Sequence, residues 1–251
     1  MIVGEKNVDK IFIIHLRDIL RKFKVELGSN FTGLENVFID SFKDIDNEAY
    51  YHYCPDIKDG DLFINSDRFQ LCDNCVINEN KILYFEHTVT HEIGHHLYYI
   101  HDLKNRVRKF YNDNEEYIKK YIEWGKYKNN FKTEDDFMEF FANYFCRFRF
   151  GELNYLKEKI YHFIFDIYES LKESKMGTEE TIRISTLEEM HEIIRMHKEG
   201  TLDESKHKLS GTNMCDICHR RTGPESCKTY PDGIPEDVYY GHKDDSCFAV
   251  E

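Results

Sequence analysis

Residues 89–100 read Val89-Thr90-His91-Glu92-Ile93-Gly94-His95-His96-Leu97-Tyr98-Tyr99-Ile100, and within them His91-Glu92-Ile93-Gly94-His95 is an HExxH sequence. On a helix, positions i and i+4 share a face, so the two imidazoles can grip one metal ion. Glu92 lies beside them and can take a proton from water without being a ligand. The geometry requires a helix, and the apolar spacing from about Lys81 to Ile100 supplies one. With 13 histidines in 251 residues, composition alone gives about 0.07 expected occurrences of the pattern. The competing reading is a helix whose histidines are exposed or satisfied within a core.

A catalytic zinc usually has three protein ligands and an open position, so a third ligand should stand on a separate element. His101 has the spacing of the metzincin continuation, but Tyr98 stands where that turn needs glycine. Six residues beyond His95 on a continuous helix, His101 faces away from the pair. Glu139 is the better candidate. It lies in Asp135-Asp136-Phe137-Met138-Glu139-Phe140-Phe141-Ala142-Asn143-Tyr144-Phe145, where a helix would be largely buried and a carboxylate costly unless paired or bound to metal. Alternatively, Glu139 shares an exposed face with Asp135 and Asp136. Thr133 followed by Asp136 has the spacing of a capping box that opens this helix.

The two motifs, 44 residues apart from His95 to Glu139, together resemble the catalytic domain of anthrax lethal factor and its relatives, gluzincin-type zinc endopeptidases. The resemblance covers about residues 80–150. It implies that His91, His95 and Glu139 bind a catalytic zinc and that Glu92 is the general base. Two positions depart from that pattern. The family places a tyrosine shortly before the third ligand, where this chain has Phe131, with Tyr127 the nearest hydroxyl. Asn143 replaces a carboxylate four residues after Glu139; its amide can still accept a hydrogen bond from a ligating imidazole. Short phage- and plasmid-associated zincins with an E-x-x-A-N-x-F helix resemble the Asn143 region better.

Outward from these motifs, residues 8–27 have helical spacing closed by Gly28, and residues 103–150 read as a charged helix, a polar break near Lys128-Asn129-Asn130 and a second helix from Thr133. Helices are also expected over about 153–171 and from Ser185 or Thr186 to Gly200. Val37-Phe38-Ile39 and Leu62-Phe63-Ile64 read as strands separated by a polar stretch containing Asp59-Gly60. Leu62-Phe63-Ile64 is either a sheet edge along which an extended peptide could pair or a core strand. His87 is a candidate neighbour of the metal ligands, Cys146 reads as a buried core residue, and His96 as solvent-facing.

The character changes after Leu209-Ser210-Gly211, and a boundary near residue 205 separates a body (1–205) from a tail (206–251) too short for a core of its own. Cys215-x2-Cys218 with Cys227 looks like a small structural zinc site. Either Cys72-x2-Cys75 and Cys54 form a site of their own, or Cys72 and Cys75 complete a four-cysteine cluster with Cys215 and Cys218. Eight cysteines without an export signal point to thiols or metal ligands in a reducing, cytoplasmic setting. The formal charge of -13 argues against broad binding to nucleic acid or anionic membrane, and no apolar run is long enough to span a bilayer.

The sequence therefore predicts an α-rich α+β, zincin-like metallopeptidase domain with a small sheet and a cysteine-bearing tail. One catalytic Zn2+, a possible second structural one, and a protein or peptide substrate are expected. The competing readings are a metal- or peptide-binding protein on a zincin scaffold without turnover, and a DNA-associated zincin protease.

Overall fold

Val37-Phe38-Ile39 and Leu62-Phe63-Ile64 lie within two neighbouring parallel strands, β2 (Leu34–Asp40) and β4 (Asp59–Asn65). The computed structural model describes residues 1–41, 47–69, 79–121, 133–153, 158–173, 196, 201 and 208–212. A short β1 (Ile2–Val3) pairs parallel to β2, and β3 (Ala49–Cys54) pairs antiparallel to β4. On its other side β3 carries β5 (Lys208–Thr212), also antiparallel, so the sheet order is β1-β2-β4-β3-β5. The possibility that Leu62-Phe63-Ile64 forms a sheet edge is thereby corrected: β4 is internal, hydrogen-bonded on both sides. Asp59-Gly60 opens β4 rather than forming a break between strands. Gly60 is required there, because an added Cβ would lie 2.1 Å from the Tyr51 hydroxyl.

Alternation along the strands divides the sheet into two faces. Val37, Ile39, Leu62 and Ile64 share a core with Phe12 and Leu16 of α1 (Lys10–Leu27) and with Phe85, Val89, Ile93 and Leu97 of α2 (Glu79–Ile100). The opposite face is more polar and equally buried. There Asn36 donates to Asp61 (3.0 Å), and His52 lies 3.9 Å from the same carboxylate. Helix α1 ends as its spacing predicts: Gly28, at φ 56°, donates its N–H to the Lys24 carbonyl.

The charged stretch after α2 forms two helices, α3 (Lys104–Asp113) and α4 (Glu115–Tyr121), which break at Asn114. Helix α5 (Glu134–Arg149) starts at the expected cap. Thr133 Oγ1 accepts from the Asp136 N–H (3.2 Å), and Asp136 accepts from the Thr133 N–H (2.8 Å). Helix α6 (Glu158–Glu173) packs on α5. The architecture is thus mixed α/β and helix-rich around a small sheet. Strand β5 lies just beyond the boundary placed near residue 205 and belongs to this sheet. The helix expected over 185–200, apart from Met196, lies outside the described residues, as do Cys72, Cys75, Cys215, Cys218, Cys227 and Cys247. Among the described residues, no helix is long and apolar enough to cross a membrane.

One partly exposed cluster ties three helices together. Arg149 on α5 bridges Glu26 on α1 (2.7 Å) and donates to the Tyr168 hydroxyl on α6 (2.6 Å), which in turn donates to Glu26. Partial burial pushes the Glu26 carboxyl upward, but the hydrogen bonds from Arg149 and Tyr168 outweigh it and leave the acid below its usual range. A carboxyl lowered in the folded state stabilises the fold above its unfolded pKa and loses that contribution as pH falls through the folded value. Glu26→Gln is therefore expected to cost about 1 kcal/mol at neutral pH. In urea unfolding series from pH 7 to pH 3, the gap between variant and parent should close below about pH 4; a gap independent of pH would refute the ionic contribution.

Candidate metal centre

The HExxH residues sit in the middle of α2 on a fully buried turn. His91, Glu92, His95 and the intervening Ile93 are all 0% exposed. The reading in which the histidines are merely exposed is excluded. Three ionisable side chains buried in one helical turn cost several kcal/mol each unless paired or ligated. One ligand-capable atom from each of His91, Glu92 and His95 lies within 4.8 Å of the others. The two imidazoles meet edge to face, with ring centroids 4.6 Å apart at 82°.

Helix α5 crosses α2 here and brings Glu139 to the pair. Its two carboxylate oxygens divide between the rings: Oε2 lies 3.3 Å from His91 Nε2 and Oε1 lies 3.3 Å from His95 Nε2. Two ligands about 2.0–2.1 Å from one tetrahedral zinc ion stand about 3.3 Å apart. Each observed spacing is of that size, one to each carboxylate oxygen, and two imidazoles plus one carboxylate are a donor set that zinc accepts. Both Nδ1 atoms are buried with no hydrogen-bond partner among the described residues. Burial would raise the Glu139 carboxyl, but the His95 and His91 imidazoles outweigh it and hold the acid well below the usual carboxylate range. Glu139 thus departs from exposed Asp135 and joins the buried histidines.

What allows the crossing is the absence of a side chain at Gly94. A Cβ there would lie 2.8 Å from Ala142 Cα and 3.1 Å from Ala142 Cβ. Gly94 and Ala142 face each other where α2 and α5 touch, and each belongs to one of the two motifs. Sequence reading used both motifs for their ligands and overlooked the small residues between them. A glycine inside a buried helical pattern was the available signal.

Asn143 also lies at the site, with a different role from the expected one. It donates through Nδ2 to the Glu139 backbone carbonyl (2.9 Å) and to Glu139 Oε2 (3.3 Å). It therefore steadies the carboxylate, where the sequence suggested an acceptor for an imidazole. His101 turns away, as predicted, onto the Asn30 carbonyl (2.8 Å).

One histidine expectation is corrected. His96 is 0% exposed rather than solvent-facing. Its Nδ1 lies 2.9 Å from the Tyr51 hydroxyl, and burial, followed by the influence of His101, pushes its pKa down to about 3. His87, one turn before His91, has its Nε2 3.2 Å from Glu152, and its ring stacks on Phe150. Cys146 is buried, as expected, and donates to the His87 carbonyl (3.3 Å); burial raises its thiol well above the ordinary range. Cys54 is likewise a free, buried thiol. Tyr127 and Phe131 lie outside the described residues.

Sequence reading also missed an aromatic wall beside the centre. Tyr99, one turn beyond His95, stacks on Tyr53 of β3 at 4.9 Å and 12°. Its pKa is raised above the ordinary phenol range, first by burial and then by the charges of Asp135, Glu134 and Glu139. Tyr98 donates to Glu134 at the start of α5 (3.1 Å), which Lys104 also contacts.

No protein-family model matches this sequence, and neither the curated proteins nor the solved structures include a match.

Gly94→Ala tests the crossing directly. Helix propensity alone would favour alanine by about 1 kcal/mol, whereas overpacking at a backbone contact costs about 1–3 kcal/mol. With Ala142 Cα only 2.8 Å from the new atom, the clash should win and lower thermal stability. A variant with a thermal midpoint equal to the parent's would refute the account.

Proposed function

We propose that the protein is a zinc-dependent metalloendopeptidase of the zincin type. The observation that carries this reading is the split carboxylate of Glu139, one oxygen 3.3 Å from each HExxH imidazole nitrogen. His91, His95 and Glu139 would hold the ion, and Asn143 holds the Glu139 carboxylate in place. Zinc bound there supplies Lewis acidity, activating water near neutral pH and polarising a peptide carbonyl.

Glu92 does the proton work. Its carboxylate takes a proton from the attacking water and delivers it to the leaving amine nitrogen, so the C–N bond breaks without expelling an amide anion. Its burial beside the imidazoles favours such a transfer, because a proton exchanged inside a water-poor site is not lost to bulk solvent. Strand β3 lies against the helix that carries the centre, through Tyr51 on His96 and Tyr53 on Tyr99 of α2. An extended peptide would pair along the outer side of β3, the side that β5 covers.

Metal content and turnover separate the roles. By elemental analysis, His91→Ala and Glu139→Ala should each lose one zinc equivalent relative to the parent. Glu92→Gln should retain that zinc while peptide-library cleavage falls by about 10²–10⁴-fold. Unchanged zinc in His91→Ala would overturn the metal assignment, and unchanged cleavage in Glu92→Gln would overturn the base assignment.

A further inference from the structure

Without β5, the side of β3 away from β4 would be a sheet edge open to an extended chain; the protein's own β5 pairs there. The register is continuous over five residues, from Tyr53 opposite Lys208 to Ala49 opposite Thr212. Because β3 is antiparallel to β4 and β5 is antiparallel to β3, β5 runs parallel to β2 and β4. It also packs against α2, the helix that carries His91, Glu92 and His95. Resting on the peptidase reading above, we propose that β5 is an intramolecular occupant of the peptide-accepting edge, which excludes other chains while it is paired.

Two features make the occupant exchangeable. Lys208-Leu209-Ser210-Gly211-Thr212 is a short strand with serine and glycine at its centre, a composition that contributes little to strand stability. The edge it covers offers backbone donors and acceptors, which accept an extended peptide with little regard to its sequence. By contrast, Ala49, Tyr50, Tyr51, His52, Tyr53 and Cys54 are all buried, and Tyr51 and Tyr53 are braced by α2. Strand β3 keeps its ladder with β4 and its tyrosine contacts with α2 independently of β5.

The test uses the full chain carrying Glu92→Gln, so that binding is measured without turnover. The probe is a fluorescein-labelled peptide with the sequence of residues 205–214. Ser210→Pro removes a backbone donor and breaks β5. An occupant present nine-tenths of the time weakens apparent affinity about tenfold, so this variant should bind the probe about tenfold more tightly than the parent. Added peptide should also protect the amides of residues 49–54 from hydrogen exchange.

The reverse variant, Ala49→Cys with Thr212→Cys, locks the pair when oxidised. It should lose probe binding and regain it on reduction. Equal affinity in the parent, proline and locked chains would overturn the proposal. If Ser210→Pro does not fold, the locked chain decides alone: a change of about tenfold or more on reduction supports it, and no change overturns it. Cleavage is scored separately with Glu92 restored. Strand-dependent binding with no cleavage in any chain would support the role of β5 and refute the peptidase reading.

Discussion

The close crossing of α2 and α5 is the constraint on which the rest depends. Two helices whose facing residues were ordinary in size would stand farther apart, and the Glu139 carboxylate would fall short of the imidazoles. Gly94 and Ala142 remove that spacing, and the surrounding phenylalanines of α5 fill the remaining volume in the core. The arrangement is costly as hydrocarbon packing, since it buries two imidazoles and two carboxyl groups together. A sequence shaped only by stability would place apolar side chains here. The chemistry of the donor set and the tightness of the helix contact therefore point the same way.

Much of this was legible because it was local. The HExxH spacing, the Thr133–Asp136 cap, and the helical periods of α1, α2 and α5 are short-range patterns, and each appears in the structure. Glu139 was readable because a lone acid among aromatics contradicts its own surroundings. What escaped was long-range. Ala49-Tyr50-Tyr51-His52-Tyr53-Cys54 has no aliphatic alternation, and its strand identity comes from β4 on one side and β5 on the other. Nothing near residue 208 announces a partner near residue 50. The same limit explains His96: its sequence neighbours suggest an exposed helical face, but Phe31 and Tyr51, brought from elsewhere in the chain, enclose it. Asn143 was placed correctly and given the wrong partner, since choosing between its own helix and α2 required three-dimensional geometry.

The sheet serves two purposes through its two faces. Toward the helices it presents Val37, Ile39, Leu62 and Ile64, an aliphatic surface that holds α1 and α2 in register. Away from them it buries Asn36, His52 and Asp61, and the Asn36–Asp61 hydrogen bond fixes the alignment of β2 and β4 where hydrocarbon contact alone would permit slippage. Strand β3 combines both uses: its tyrosines brace the second half of α2, and His52 joins the polar network.

Helix α5 is held at both ends. At its start Glu134 meets Tyr98 and Lys104; at its finish Arg149 is fastened to Glu26 and Tyr168. Glu139 thus sits on a beam fixed at each end, and little rotational freedom remains to be lost when it engages a cation. The same stiffness governs departure. Were an ion shared between α2 and α5, its residence time would be governed by how often two anchored helices move apart.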